Sequence, residues 1–564
     1  MTKIQSTIFF LCFSVSSFAQ LKRESTFKYS INKNVHAKQA AVVCAHPLAS
    51  KVGIQILRNG GNAFDAAVAM QLALAVVHPS AGNIGGGGFM VAHLRNGKNI
   101  ALDYREKAPG NASRDMYLDS LGNPLMDLSQ KTQLASGVPG TVAGLFAEMK
   151  YASMPFKKLI EPAINLAENG FAITASMASA FNAHQKEFKE RNAGPVAFMK
   201  ETEWKEGDIL IQPELAATFK RIRDKGQKGF YEGKTAELIV AEMKRGNGII
   251  TLDDLKKYGV AERVPLEFDH KKFHVVTMPL PSSGGIIVEQ MLKMVESKKI
   301  GRMGFHTPES VQLMAEAERR AFADRAEFLG DPDFVKVPVN KLVSDEYLTQ
   351  RMSDFVPGVA GNSSATKAGI IPESEQTTHL SVLDKFGNAV AITTTLNDSY
   401  GSKVVVAGAG FILNNEMDDF SVKPGVPNMY GAIGNDKNAI APNKRMLSSM
   451  TPTIVLKKGS PYVVTGTPGG TTIPTSVFQT LVNILEFDMN ADDAVNKPKF
   501  HHQWLPDTLF VEQSFPSQLK VELTRMGYRI VERSSIGRTE VILVRRKFIE
   551  AVGDNRGDDD AEGY

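Results

Sequence analysis

At 564 residues the chain is 43% hydrophobic and 22% charged, enough apolar material for a large core that holds without disulfides. The formal charge is only +4, and basic pairs such as Lys271-Lys272 and Arg545-Arg546 are scattered with no zinc-finger or single-strand-binding pattern beside them, so nucleic acid is not an expected partner. Of the two cysteines, Cys12 lies in an apolar leader, which leaves Cys44 alone in a mature chain and excludes an intrachain disulfide there.

Residues 1–19 read as a secretion signal: Lys3 is the positive region, Ile8 to Phe13 begins the apolar region, and Ser17-Phe18-Ala19 precedes Gln20 as a small-x-small cleavage site. The apolar run is well short of the ~20 residues that a membrane span needs. The spacing predicts export to the periplasm or secretion. The richest later run, Ala66 to Val77, is also too short and reads as a buried helix, so no stable membrane span is expected.

Gly60 to Val77 reads as a turn and then a helix capped by Asn62, ending near His78-Pro79. Gly85-Gly86-Gly87-Gly88 follows, a backbone suited to close packing. It lacks both the Gly-Lys-Ser/Thr and the G-x-G-x-x-G pattern of a phosphate loop. Asn99 to Asp103 is a strand candidate that runs into Tyr104-Arg105-Glu106-Lys107-Ala108-Pro109. Thr307-Pro308 opens a long helix through about Phe328, with Val311, Met314, Ala315, Phe322 and Ala326 on its apolar face. The rest of the middle is helical scaffold, without a short repeat.

Gly361 to Gln376 is polar and poor in aromatics, as an exposed loop is. Then Thr377 to Leu383 alternates as a strand, Asp384 to Asn388 supplies a turn, and Ala389 to Leu396 returns as a second strand. This hairpin brings Thr377 toward Thr395, whose hydroxyl is placed to orient it. Each threonine alone is an ordinary β-branched sheet residue. An internal threonine is also a poor nucleophile, but at a new N-terminus it carries its own base, an α-amine of pKa near ~7.7. A cut between Gln376 and Thr377 would create that terminus.

His379 faces the same way as Thr377, two positions along the strand, and is assigned a structural or processing role; His501-His502 is read as structural. No Cys/His/acid cluster has zinc spacing, so no metal and no cofactor is expected.

Gly60-Gly61-Asn62-Ala63-Phe64-Asp65-Ala66-Ala67, Asn83 to Phe89, Arg105 to Pro109, Gly137-Val138-Pro139-Gly140, Thr377-Thr378-His379, Asn414 to Phe420, Leu447 to Thr453 and Pro468-Gly469-Gly470 occur in an order that resembles the γ-glutamyltransferase family of N-terminal nucleophile hydrolases, over essentially the whole mature chain. The resemblance implies a four-layer α/β/β/α fold built jointly by two associated chains. A heavy chain, residues 20–376, and a light chain, residues 377–564, would arise by self-cleavage at Gln376/Thr377. It implies Thr377 as nucleophile and the backbone N–H groups of Gly469 and Gly470 as oxyanion donors. Arg105, Ser448 and Ser449 would receive a glutamyl carboxylate, Glu416 and Asp419 its ammonium, with Asn397 beside them. Phe420 to Gly431 resembles a lid that carries Tyr430. Donors would be glutathione, glutamine or other γ-glutamyl amides, and acceptors water, amino acids or peptides. At position 416 bacterial relatives often carry glutamine, whereas this chain has the acid. Two alternatives stand beside this reading: a related acylase acting on a non-glutamyl side chain, and an uncleaved binding protein.

Overall fold

Both strands of the hairpin, Thr377–Leu383 and Ala389–Thr395, are buried along their whole length, the mark of interior strands covered on both faces. The computed structural model describes residues 30–363 and 377–564. The expected leader and residues 364–376 of the polar segment, Gln376 included, lie outside the described residues.

The hairpin is the centre of a seven-stranded sheet, in the order Asp560–Gly563, Ala41–Cys44, Thr377–Leu383, Ala389–Thr395, Gly87–His93, Asn99–Asp103 and Ala261–Arg263. A second seven-stranded sheet runs Asn34–Ala37, Ile549–Val552, Glu540–Val544, Ser460–Gly466, Thr453–Lys457, Phe273–Thr277 and Leu266–His270. Neighbouring strands are antiparallel throughout both sheets. Each sheet draws strands from both sides of residue 377.

Three apolar clusters define the layers. Phe89, Val91, Ala391, Val276, Ile454, Val464 and Ile542 fill the space between the sheets. The first sheet's outer face carries helices Pro47–Arg58, Ala63–Val77 and Phe156–Asn169. The second carries Gly284–Ser297, Pro308–Phe328 and Thr472–Leu485. The result is the expected α/β/β/α stack, in which two sheets bury one face on each other and the other under helices.

Local chemistry explains where the elements begin. Asn62 caps Ala63–Val77 through a capping box with Asp65, and Thr307 caps Pro308–Phe328 through one with Ser310. The helix Thr472–Leu485 carries Pro474 in its first turn, where a proline removes only an N–H that has no intrahelical partner anyway. The long helix departs most from its sequence pattern. Besides its apolar face, it buries Glu316, Glu318, Arg319, Arg320, Asp324 and Arg325, while Ala326 is only half-buried.

The glycine run serves packing. A side chain on Gly86 would collide with the Thr395 carbonyl oxygen, and one on Gly88 would press on the Thr393 carbonyl oxygen at 2.5 Å. His379 lies buried within its sheet, with Nδ1 2.8 Å from Thr393 Oγ1 and Nε2 3.1 Å from Ser381 Oγ. Gly466 of the second sheet leaves room for the ring, and burial brings its pKa down to about 3. It is a neutral structural residue. His501 and His502 are buried as well, and His501 links Thr475 to Gln503 at 2.9 Å on each side. Cys44 is a buried free thiol that burial pushes up to about 12. Among the described residues no helix is long and apolar enough to cross a membrane, and no group of three His, Cys, Asp or Glu residues is placed to hold a metal.

Candidate active site

Register decides the centre of the site. Thr377 pairs directly with Thr395, which pairs with Gly87 on its other side. Thr377, the first residue of its strand, is therefore held at a sheet end beside a second hydroxyl. Thr377 and Thr395 are both buried, at 7% and 3% exposure, yet both line a cleft of about 350 Å³.

After Thr395 the chain turns through Asn397, whose φ of +77° is in the left-handed region, a conformation asparagine tolerates better than most residues. Its backbone N–H donates to Thr395 Oγ1 at 2.7 Å, and its side chain donates to the Asn415 carbonyl at 3.0 Å. Asn397 is thus fixed against the start of the Glu416–Asp419 turn. That turn presents Glu416 and Asp419 to the cleft.

Arg105 lies beyond the end of Asn99–Asp103 and meets both acids. Nη1 is 2.6 Å from Glu416 and Nη2 is 2.5 Å from Asp419, with Glu106 behind at 3.7 Å. Three carboxyl groups thus surround one guanidinium. Burial pushes Glu416 well above the usual carboxylate range, although Arg105 pulls it down and Thr395 hydrogen-bonds to it. Burial likewise raises Asp419 against the pull of Arg105, and raises Glu106 to about 7. Burial also opposes the charge on Arg105, but its three acidic neighbours keep its pKa above the ordinary value. Such a set can exchange an internal ion pair for contacts with a bound ammonium and carboxylate.

Ser448 and Ser449 line the opposite wall. Ser448 is held there by the segment before the helix Gly284–Ser297: its N–H donates to the Pro281 carbonyl at 2.9 Å, and Ser283 N–H and Oγ donate to the Ser448 carbonyl at 2.8 and 2.7 Å. Gly469 and Gly470 have φ of +136° and +55° and precede the helix Thr472–Leu485. Glycine alone adopts this pair of conformations at little cost. Gly470 lines the cleft, while Gly469 stands behind it against Thr472.

The segment after Phe420 closes over these groups. Tyr430 is buried, donates its hydroxyl to the Asn397 carbonyl and packs against Gly470. Asn428 donates to Asp419 at 3.1 Å, and the Met429 N–H to Asp418 at 2.9 Å. Asp418 therefore anchors the segment and does not line the cleft.

All the site residues expected from sequence converge on this cleft, except Gly469, one residue behind it, and Gln376, outside the described residues. The sequence reading did not single out Arg325, Asn428 or Thr471, which also line it. The run Pro281-Ser282-Ser283-Gly284-Gly285 before a helix was the available signal for the cradle under Ser448, but nothing in it names its partner.

Residues 49–564 match the model of the gamma-glutamyltranspeptidase family. The glutathione hydrolase proenzyme of Escherichia coli is 47% identical over 516 residues, covering 90% of this chain and 89% of that protein. The glutathione hydrolase proenzyme of Pseudomonas aeruginosa is 45% identical over 531 residues, covering 92% and 93%. Among solved structures, a cephalosporin acylase from Bacillus halodurans superposes with a TM-score of 0.82 at 25% identity, over 98% of this chain and 99% of that one. With a family match over residues 49–564 and relatives 45–47% identical over most of their length, this chain belongs to the gamma-glutamyltranspeptidase family.

Proposed function

We propose that the chain is a self-processing γ-glutamyltransferase and glutathione hydrolase, with Thr377 as its nucleophile. The observation that carries this reading is the pairing of Thr377 with Thr395 beside a cleft that holds both acids and guanidinium groups. The relatives' description as glutathione hydrolase proenzymes supports it.

Maturation begins as Thr377 Oγ attacks the Gln376 carbonyl. The peptide C–N bond breaks, the acyl group moves to oxygen, and the nitrogen becomes the Thr377 amine. Water then opens the ester, leaving a carboxylate on Gln376 and a free N-terminal threonine. Residues 20–376 and 377–564 become the heavy and light chains of one heterodimer, exported to the periplasm or secreted after loss of residues 1–19.

In turnover the freed amine takes the proton of Oγ as the oxygen attacks the γ-carbonyl of glutathione, glutamine or another γ-glutamyl amide. Gly469 and Gly470 N–H groups stabilise the oxyanion. The C–N bond breaks, the leaving amine takes the proton, and a γ-glutamyl ester remains on Thr377. Water releases glutamate from this ester, while an amino acid or peptide amine gives a new γ-glutamyl amide. Glu416 and Asp419 hold the donor's ammonium with Asn397 beside them. Arg105, Ser448 and Ser449 hold its carboxylate, and Tyr430 shields the ester from bulk water. The acid at position 416 keeps acceptor oxygens at the ammonium end, and burial holds its pKa well above the usual carboxylate range, so its charge depends on pH.

Denaturing intact-mass analysis with N-terminal sequencing tests the first half, and the expected result is a light chain beginning Thr377-Thr378-His379. A chain that stays whole rejects it. Cleavage of a γ-glutamyl anilide but not of its des-amino analogue tests the second half. Equal cleavage of both would favour an acylase.

A further inference from the structure

Among the described residues every buried arginine but one has a carboxylate partner. Arg105 has Glu416 and Asp419; Arg319 and Arg320 have Glu316; Arg445 has Asp103. The exception is Arg325, which is buried near the end of Pro308–Phe328, lines the candidate active site and makes no ion pair within 4.0 Å among the described residues.

Its hydrogen bonds go to neutral groups of the cleft wall. Nε donates to Ser283 Oγ at 3.1 Å, and Nη2 donates to Ser449 Oγ at 3.4 Å. Nη1 has no hydrogen bond among the described residues. Burial brings its pKa down to about 10, with the more distant Asp419 pulling the other way. An unneutralised buried guanidinium costs stability unless a partner anion arrives. The carboxylates that line the cleft with it among the described residues, Glu416 and Asp419, are already engaged with Arg105. No described residue supplies the missing anion, and a ligand in the cleft can: Ser449, bound by Arg325, and Ser448, backed by Ser283, are the serines assigned to the donor's carboxylate.

We propose that Arg325 is a second carboxylate-receiving cation of this site, sharing the α-carboxylate of the γ-glutamyl donor with Arg105 and positioning Ser449 to join it. This inference rests on the γ-glutamyl reading given above. It divides the work between the guanidiniums: Arg105 balances the acids that receive the ammonium, and Arg325 supplies the charge that no described residue neutralises.

The test compares two anilides, γ-glutamyl and 4-aminobutyryl, which differ only in the α-carboxylate. Wild type, R325K and R325Q are each checked by mass for the Thr377 terminus, since self-cleavage does not require a donor carboxylate. R325Q is expected to raise KM for the γ-glutamyl donor by ~10–100-fold, the value of a charged hydrogen bond, with kcat changed by less than ~3-fold. Its preference for the γ-glutamyl over the 4-aminobutyryl donor falls by a similar factor, and R325K recovers part of it. An equal loss on both donors, or an unchanged KM for the γ-glutamyl donor, overturns the proposal. Should R325Q remain uncleaved, R325K on the same donor pair decides between these outcomes. A matured wild type that cleaves neither anilide overturns the γ-glutamyl reading itself, a result distinct from any defect confined to the variants.

Discussion

At the residue scale the site is governed by carboxyl groups that burial has made reluctant to ionise. Glu106, raised to about 7, stands behind Arg105 and loses its proton near neutrality. As pH rises through that value, the charge beside Arg105 becomes more negative, which favours the donor's ammonium and disfavours its carboxylate. Glu106→Gln should therefore flatten the pH profile of KM for a γ-glutamyl donor between about pH 6 and 8. Steady-state kinetics across that range checks it; an unchanged profile would detach Glu106 from substrate binding. Thr377→Ala should leave the chain uncut and inactive on denaturing gels and in anilide assays, because the hydroxyl serves both steps. The identities of Thr377, Arg105 and the acids were legible as motifs. The pairing of Arg105 with two acids at once was not, since residues 105, 416 and 419 meet only after the halves interleave.

At the element scale, strand and helix placement followed from sequence because alternation, turn residues and caps are local signals. The lone charge of Arg325 did not, because helical periodicity marks an apolar stripe and says nothing about what a buried polar face will meet. The glycine run can be tested as packing. A Cβ at Gly86 meets backbone, which cannot swing aside as a side chain would. Gly86→Ala should cost ~1–3 kcal/mol or prevent maturation, whereas Gly194→Ala, with nothing within 4 Å of the new carbon, should leave the melting temperature nearly unchanged. Thermal denaturation of the two side by side separates packing from a general intolerance of substitution. The lid supports a further expectation: shortening the segment around Tyr430 should raise kcat/KM for bulky donors relative to small ones. An unaltered ratio would show that the lid does not limit donor size.

At the scale of the whole molecule, both sheets contain strands from both sides of residue 377, so cutting there leaves every strand pair intact. The two chains should co-elute on native gel filtration and separate only in denaturant. Burial also sets the pH dependence of stability. Glu148 is raised to about 8, Asp560 to about 7 and Asp418 to about 6. Each binds its proton more tightly folded than unfolded, so stability falls as pH climbs from about 5 to 8. Glu148→Gln should reduce the loss of melting temperature across that range by roughly 2–5 °C.

Sequence alone determined the hairpin that brings Thr377 to Thr395, through local periodicity, and the fold class and the residue types of the site through the family resemblance that motifs contiguous in the chain carry. Only the tertiary structure decided which acids neutralise Arg105, that His379 is a neutral sheet residue, and that Arg325 faces the cleft without a counter-ion among the described residues. Burial and charge partnership belong to no single segment: they arise where segments hundreds of residues apart exclude water together.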